Sequence, residues 1–446
     1  MATDVAWHRV GDSCSTVQDC VNQAAVTGGV VYVPHGTGAL STTLQIPASP
    51  NPEKPLIIRG DGPSVSKLST AFVPFGTADV VNVQRSRVTF EGLSIEPQNL
   101  NQSEGRGIVI GGGSDPVSDV VLRDCIVRGS GRHVLYMAGP LSNVLVERCV
   151  FAANYNPAGL LARIGPLCRG VAFIDCSFDF FKGSAIELVG CRDISFYDGH
   201  VETAEDKGTA PFVTGIDAEN CHFGGVWFEE AQGATSNQWF LDIGRGCNGW
   251  TIVGCYFVRQ RTTGMTGALR LIRLGSCTGT PAGPALGAAI LNPLVTTTFS
   301  GDPEPGAIEI RDSSSEVCVI GGTVQANNNT SMRRYPVDIA DSSTKSTWIG
   351  PRGWRPPLVG LSQTLDNGKL GDLLARPGRG LEMWNAKGTP KWLPASVNRY
   401  VNEVALAEIP EKSKDPGTVV WIDNVASGAS KLRVWTGTSW AKVEYL

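Results

Sequence analysis

Seven short segments share one pattern, a variable position held between apolar flanks: VLYMAG, LLARIG, AIELVG, GIDAENC, FLDIGRG, LRLIRLG and AIEIRDS. Aligned on those flanks, the column reads Tyr136, Ala162, Glu187, Asp217, Asp242, Arg270, Glu309. Three successive copies carry a carboxylate. Neighbours in a strand point to opposite faces, so with Ile186, Ile216 and Leu241 directed into a core the column faces outward. Parallel strands stack about 4.8 Å apart, which puts carboxylates on alternate strands roughly 9–10 Å apart. Glycoside hydrolysis uses pairs about 5 Å apart for retention and roughly 6.5–9.5 Å apart for inversion. Stacked like charges raise one another's pKa, which keeps one acid protonated near neutral pH. On this reading Asp217 is the acid and Glu187 or Asp242 the base or nucleophile. Glu219, two residues along, points the same way.

The plainer reading is a solvated polar face on which Arg245 and Arg270 pair with the acids. Two longer segments favour a groove. GHVETAEDKGTAPFVTG and WFEEAQGATSNQWF exceed an ordinary corner, and insertions between strands project as loops beside a sheet. The second supplies Trp227 and Trp239, whose flat rings suit the C–H face of a pyranose, together with Glu229 and Glu230. His200 and His222 lie near the same segments without a Ser or Cys nucleophile pattern and read as structural. A lyase would instead need an Arg or Lys base, for which Arg245, Arg259 and Lys207 are at hand, and Ca²⁺ on clustered carboxylates. Hydrolysis needs no cofactor.

The elements that position these groups repeat. VVLRDCIV, NVLVERCVF, GVAFIDCSF, DISFYDGHV and GWTIVGCYF each alternate apolar with polar residues and end on Cys-x-Phe or an equivalent. Cys125, Cys149, Cys176 and Cys255 take one place and Asp198 takes it once. A repeat period of about 20 to 50 residues marks a solenoid. With little helical pattern, many β-branched and aromatic residues, and Gly or Asn at corners, the expected fold is a parallel β-helix. The cysteines, including Cys168, Cys191, Cys221, Cys247 and Cys277, then stack as small apolar residues in a narrow core. Free thiols are expected. The chain lacks CxxC pairs with nearby His, so no zinc site is expected.

At the N-terminus, SCSTVQDCVNQAAVTGG opens with Ser15 and Gln18 in capping-box spacing and continues with a stripe of Val17, Cys20, Val21 and Ala24. Helix, strand, VYVPHGT and IRGDGP follow one another. This order resembles the N-terminal cap of pectate-lyase-like right-handed β-helix proteins, phage tailspikes among them. The resemblance covers about residues 12 to 350 and implies an all-β chain, a right-handed parallel β-helix with an N-terminal capping helix. That scaffold carries lyases, hydrolases and non-enzymes alike, so chemistry must come from the site.

A net charge of −4 and the lack of any Lys/Arg block exclude a basic nucleic-acid-binding face. No apolar run approaches the roughly 20 residues that span a bilayer. The start MATDVAWHRVG lacks a secretory n-region and apolar core. From about residue 353 the composition turns Trp-rich, and PGTVVWIDNVASGASKLRVWTGTSWAKVEYL reads as strand, turn, strand and hairpin. This resembles the small β module at the ends of phage tail proteins. The domains expected are residues 1–352, the capped β-helix, and 353–446, a small β domain for oligomerisation or virion attachment. Together the two resemblances imply a tailspike-like virion protein, made in the host cytoplasm and released by lysis, that binds and cleaves a bacterial surface polysaccharide. A homotrimer and contacts to other virion proteins are implied with it. The rival expectations are a non-catalytic decoration or fibre protein and a polysaccharide lyase.

Overall fold

The computed structural model describes residues 6–36, 38–48, 53–64, 66–70, 79–97, 105–129, 131–154, 158–203, 210–230, 239–259, 271–275, 284–297, 308–311 and 317–320, and beyond these the backbone of the strands named below. Each coil runs through three strands. One coil comprises Cys168–Ile174, Ser177–Phe181 and Ser184–Val189; the next comprises Arg192–Tyr197, His200–Thr203 and Val213–Ile216. Stacking coil on coil gives a 14-stranded sheet I from the first strands, and 11-stranded sheets II and III from the second and third. The result is the parallel β-helix expected. Pairing turns antiparallel where Val359–Gly360 meets Thr347–Ile349.

Register explains why this sequence forms coils. Val144, Val171 and Ile194 face one another on successive strands of sheet I, as do Phe173, Phe196 and Phe223. The rings of Phe173 and Phe196, and of Phe196 and Phe223, stack at 4.6 Å. Such pairs contribute about 0.5–1.5 kcal/mol beyond the area they bury. Near the start of the sheet I strands the chain passes through the left-handed region, with φ of 57° at Asp119, 54° at Asn143, 58° at Asp193 and 52° at Asn220. Asp and Asn tolerate that region because the short side chain bonds locally. Here they bond to one another: Asn143 donates to Asp119 at 3.3 Å and Asn220 to Asp193 at 3.1 Å.

The helix Val17–Thr27 buries Val17, Cys20, Val21 and Ala24 over the first coil. Its cap lies one residue later than expected: Thr16 Oγ1 accepts from the Asp19 N–H at 3.1 Å. Hydroxyls of Thr16 and Ser15 donate to the Asp19 carboxylate and hold its pKa below the ordinary value. Gln18 is therefore free for another task. Its amide donates to the Gln45 carbonyl at 2.9 Å and accepts from the Gln45 N–H at 2.8 Å. Gln45 sits in Leu44–Ile46, the end strand of sheet III, so one side chain closes part of an edge that would otherwise invite another chain.

Cys14 and Cys20 are joined in a disulfide, against the expectation of free thiols throughout. The other described cysteines are free, and all but Cys318 are buried. Burial pushes Cys168, Cys247 and Cys255 up to about 12, which makes them inert core residues. Gly199, not Asp198, occupies the Cys176 place; Asp198 is the corner residue before it, at φ 51°. Cys277 lies outside the described residues.

Toward the C-terminus, Leu373–Arg376, Gly380–Asn385 and Lys391–Ala395 form an antiparallel meander. Val397–Tyr400 pairs in parallel with Val419–Asn424, which continues antiparallel into Ala429–Trp435 and Trp440–Lys442. These short sheets, antiparallel except for that one pairing, are compatible with the small β domain expected.

Candidate functional site

The outward column of sheet III is not the one drawn from flanking residues. Its register reads Tyr136, Arg163, Glu187, Thr214, Asp242, Arg273, Glu309. Glu187 and Asp242 hold their places, two strands apart. Asp217 does not: Thr214 stands between them, and Asp217 lies past the strand at a corner with φ 50°. The slip has a steric cause. Gly215 faces inward, where a Cβ would come within 2.5 Å of the Trp250 ring, so a glycine fills the place at which an apolar flank was sought. Ala162 is likewise buried, with Arg163 as the outward residue, and Arg273 replaces Arg270 in the column. Arg270, Lys207 and the Arg259 side chain lie outside the described residues.

Every acid proposed from sequence faces a guanidinium. Arg163 Nε lies 3.0 Å from Glu187 Oε2. Asp242, fully buried, is gripped by both nitrogens of the Arg273 fork, the first at 2.8 Å. Arg245 lies 3.4 Å from Asp217, and Arg192 lies 3.2 Å from Glu219. Glu219 bridges to Arg192 and Asn248 beside sheet I and shares no face with Glu187. Trp239 is 4% exposed, with Arg273 stacked 5.4 Å over its ring, and so offers no face to a sugar. Trp227 stands on sheet II and is exposed.

Sheet II carries three acids in register. Asp179 pairs with Glu202, and Glu202 with Glu229, on consecutive strands. Phe178, Val201 and Phe228 alternate with them and fill the core, which fixes the acids outward. Beside them runs a second outward column, Ser177, His200, Trp227 and Tyr256. The Trp227 and Tyr256 rings lie 4.3 Å apart. Ser177 Oγ donates to Asp179 at 2.9 Å, and Trp227 Nε1 donates to Glu229 at 3.1 Å. His200 sits between acids, with Nδ1 at 3.7 Å from Asp179 and Nε2 at 3.8 Å from Glu229. Burial pushes Asp179 up, against the pull of Ser177 and His200. Burial also pushes Glu202 up, with Glu229 and Asp179 adding to it.

The strand bearing Asp179 is irregular. Its register shifts between Asp179 and Phe181, leaving Phe180 as a bulge at φ 56° with half its surface exposed. A bulky residue in that region is strained, and bulges re-aim side chains beside functional sites. The repeat hides this site in the sequence, because Gly199 and not its neighbour Asp198 takes the Cys176 place. With Gly199 in place, SFD, HVE and WFE line up as successive copies.

No family model matches the chain, and no curated protein matches its sequence. Solved structures do. ORF18 of Geobacillus virus E2 is 15% identical, with a TM-score of 0.53 over 96% of this chain and 71% of that one. DFA-IIIase from Arthrobacter chlorophenolicus A6, in complex with GF2, is 12% identical, with a TM-score of 0.51 over 76% of this chain and 93% of that one. The enzymatically active domain of bacteriophage CBA120 tailspike protein 2 is 12% identical, with a TM-score of 0.48, and this chain spans 60% of its length. At these identities the likeness to the first two is one of fold alone: this chain is a parallel β-helix.

Proposed function

We propose that this chain is a tailspike-like virion protein that binds a bacterial surface polysaccharide on the outer face of sheet II and cleaves its glycosidic bonds there. The observation that carries the reading is the run of Asp179, Glu202 and Glu229 on consecutive strands, flanked by Trp227, Tyr256 and Phe180. Exposed rings give sugars a stacking surface, and carboxylates on neighbouring strands about 4.8 Å apart match the retaining arrangement. Glu202, crowded by two acids, is suited to protonate the leaving oxygen. Glu229, held by the Trp227 indole, is suited to attack the anomeric carbon. The likeness to a viral protein agrees with a place in the particle.

The test is incubation with capsule or lipopolysaccharide from candidate hosts, followed by product chain length. Shortened chains that stay long with Glu202→Gln, but not with Glu187→Gln, support the assignment. Intact polymer that nevertheless binds the protein would leave the adhesive, non-catalytic reading. An ultraviolet-absorbing unsaturated end would make the chain a lyase.

A further inference from the structure

We propose that Asp179, His200 and Glu202 form a binding site for one divalent transition-metal ion of the Zn²⁺ class. One ligand atom from each lies within 4.8 Å of the others. Zinc bonds of about 2.0–2.2 Å to nitrogen and oxygen need these atoms nearer together, by about 1 Å of side-chain movement. All three residues are half-buried on two adjacent strands, so the backbone holds them in place.

Two features set this cluster apart from the acids held by arginine along the solenoid. Glu91, Glu147, Glu187, Glu219 and Asp242 each pair with an arginine. Among the described residues, Asp179 and Glu202 face no arginine or lysine; the basic side chain beside them is the imidazole of His200. The second feature is the orientation of that ring. Its two nitrogens face different carboxylates, Nδ1 toward Asp179 and Nε2 toward Glu229, both beyond hydrogen-bond reach. A metal-bound histidine places one nitrogen on the ion and donates its other N–H to a carboxylate, which fixes tautomer and ring. Asp179, which faces Nδ1, and Glu202 complete the first role, and Glu229 provides the second at Nε2. An imidazole among carboxylates favours zinc, nickel or copper over calcium, which takes oxygen ligands. Three protein ligands leave a coordination position open to water or a sugar hydroxyl.

The regulatory consequence rests on the proposed cleavage: an ion on Glu202 takes away the acid, so Zn²⁺ suppresses depolymerisation and chelator restores it. The binding itself does not depend on that reading. The test is calorimetric titration of the chelator-treated full chain with Zn²⁺, with Co²⁺ absorption as a second readout. One ion per chain is expected. His200→Gln should weaken it at least about 100-fold, and Glu229→Gln about 10- to 100-fold through loss of ring orientation. Cys318→Ser should leave it unchanged, and a visible Co²⁺ spectrum without intense thiolate bands should confirm N/O ligands. Absence of binding, or equal affinity in His200→Gln with an unchanged melting temperature, overturns the proposal. Polymer left intact by the metal-free protein would overturn the cleavage reading alone.

Discussion

One run of acids on the outer face of sheet II and another on that of sheet III are held in opposite ways. On sheet III, Glu187, Asp242 and Glu309 each have an arginine within ion-pair distance. On sheet II, Asp179, Glu202 and Glu229 stack on one another around a single imidazole. Two like charges about 4.8 Å apart repel by about 1 kcal/mol in water and about 3 at an effective dielectric constant of 20. Stability alone would select the first arrangement. Keeping the second, with a strained aromatic bulge beside it, costs free energy that a ligand or a reaction can recover. The lesson is that an acid column signals chemistry through the kind of partner around it, so partners must be counted along with carboxylates.

The largest effect expected is on cleavage. Glu202→Gln should lower kcat by about 10²- to 10⁴-fold, the range for loss of a general acid, while Glu187→Gln stays within about threefold. Reducing-end release from a susceptible polymer measures both. Reversal of that order would move the site back to sheet III.

Stability should show the opposite ranking. Asp242→Ala leaves the Arg273 guanidinium without its fork partner at a fully buried position, a loss of about 3–5 kcal/mol. Asp179→Asn removes one of three mutually repelling charges and should change stability by less than about 1 kcal/mol, in either direction. Denaturant unfolding of the two variants decides whether the faces differ as argued.

How far these faces were legible in sequence follows from what each residue type can reveal. The coils were legible because Val, Ile and Phe recur at inward places and Asp, Asn or Gly at left-handed corners. The capping helix was legible too, although the cap is Thr16 rather than Ser15. Register was not. Gly215 is small because Trp250 fills its space from two coil segments away, and no local pattern announces such a long-range exchange of volume. Asp217 thereby took the place of Thr214. The same slip, Asp198 for Gly199, hid the sheet II acids, although the chemical argument for stacked carboxylates applied to them unchanged. Trp239 and Trp227 look alike in sequence, and only packing separates the buried ring from the exposed one.

Acid should also act first on sheet III. His133 is buried there, and burial, reinforced by Arg163, Arg132 and Arg106, pushes its pKa down to about 3. The unfolded histidine titrates near 6.5, so between that pH and about 3 the unfolded chain holds the extra proton. The stabilising effect of the neutral ring is therefore complete above about pH 6.5 and lost progressively as the pH falls. His133→Gln should narrow the stability difference between pH 7 and pH 4 by about 3 kcal/mol, read from unfolding midpoints at the two pH values. An unchanged difference would show that His133 titrates normally.

The smallest expected effect probes the bulge that aims Asp179. Phe180 occupies the left-handed region at φ 56°, which glycine enters without steric cost. Its ring is half exposed, so little core packing is lost on removal. Phe180→Gly should thus be neutral or stabilising by up to about 1 kcal/mol, set against the greater backbone freedom of glycine in the unfolded chain. Polysaccharide affinity should fall at the same time, because the variant deletes an exposed ring next to the acid ladder. A variant that melts higher and binds sugar more weakly would show strain retained for recognition. One that melts lower, with affinity unchanged, would make the bulge a structural feature of sheet II and return the two faces to equal standing.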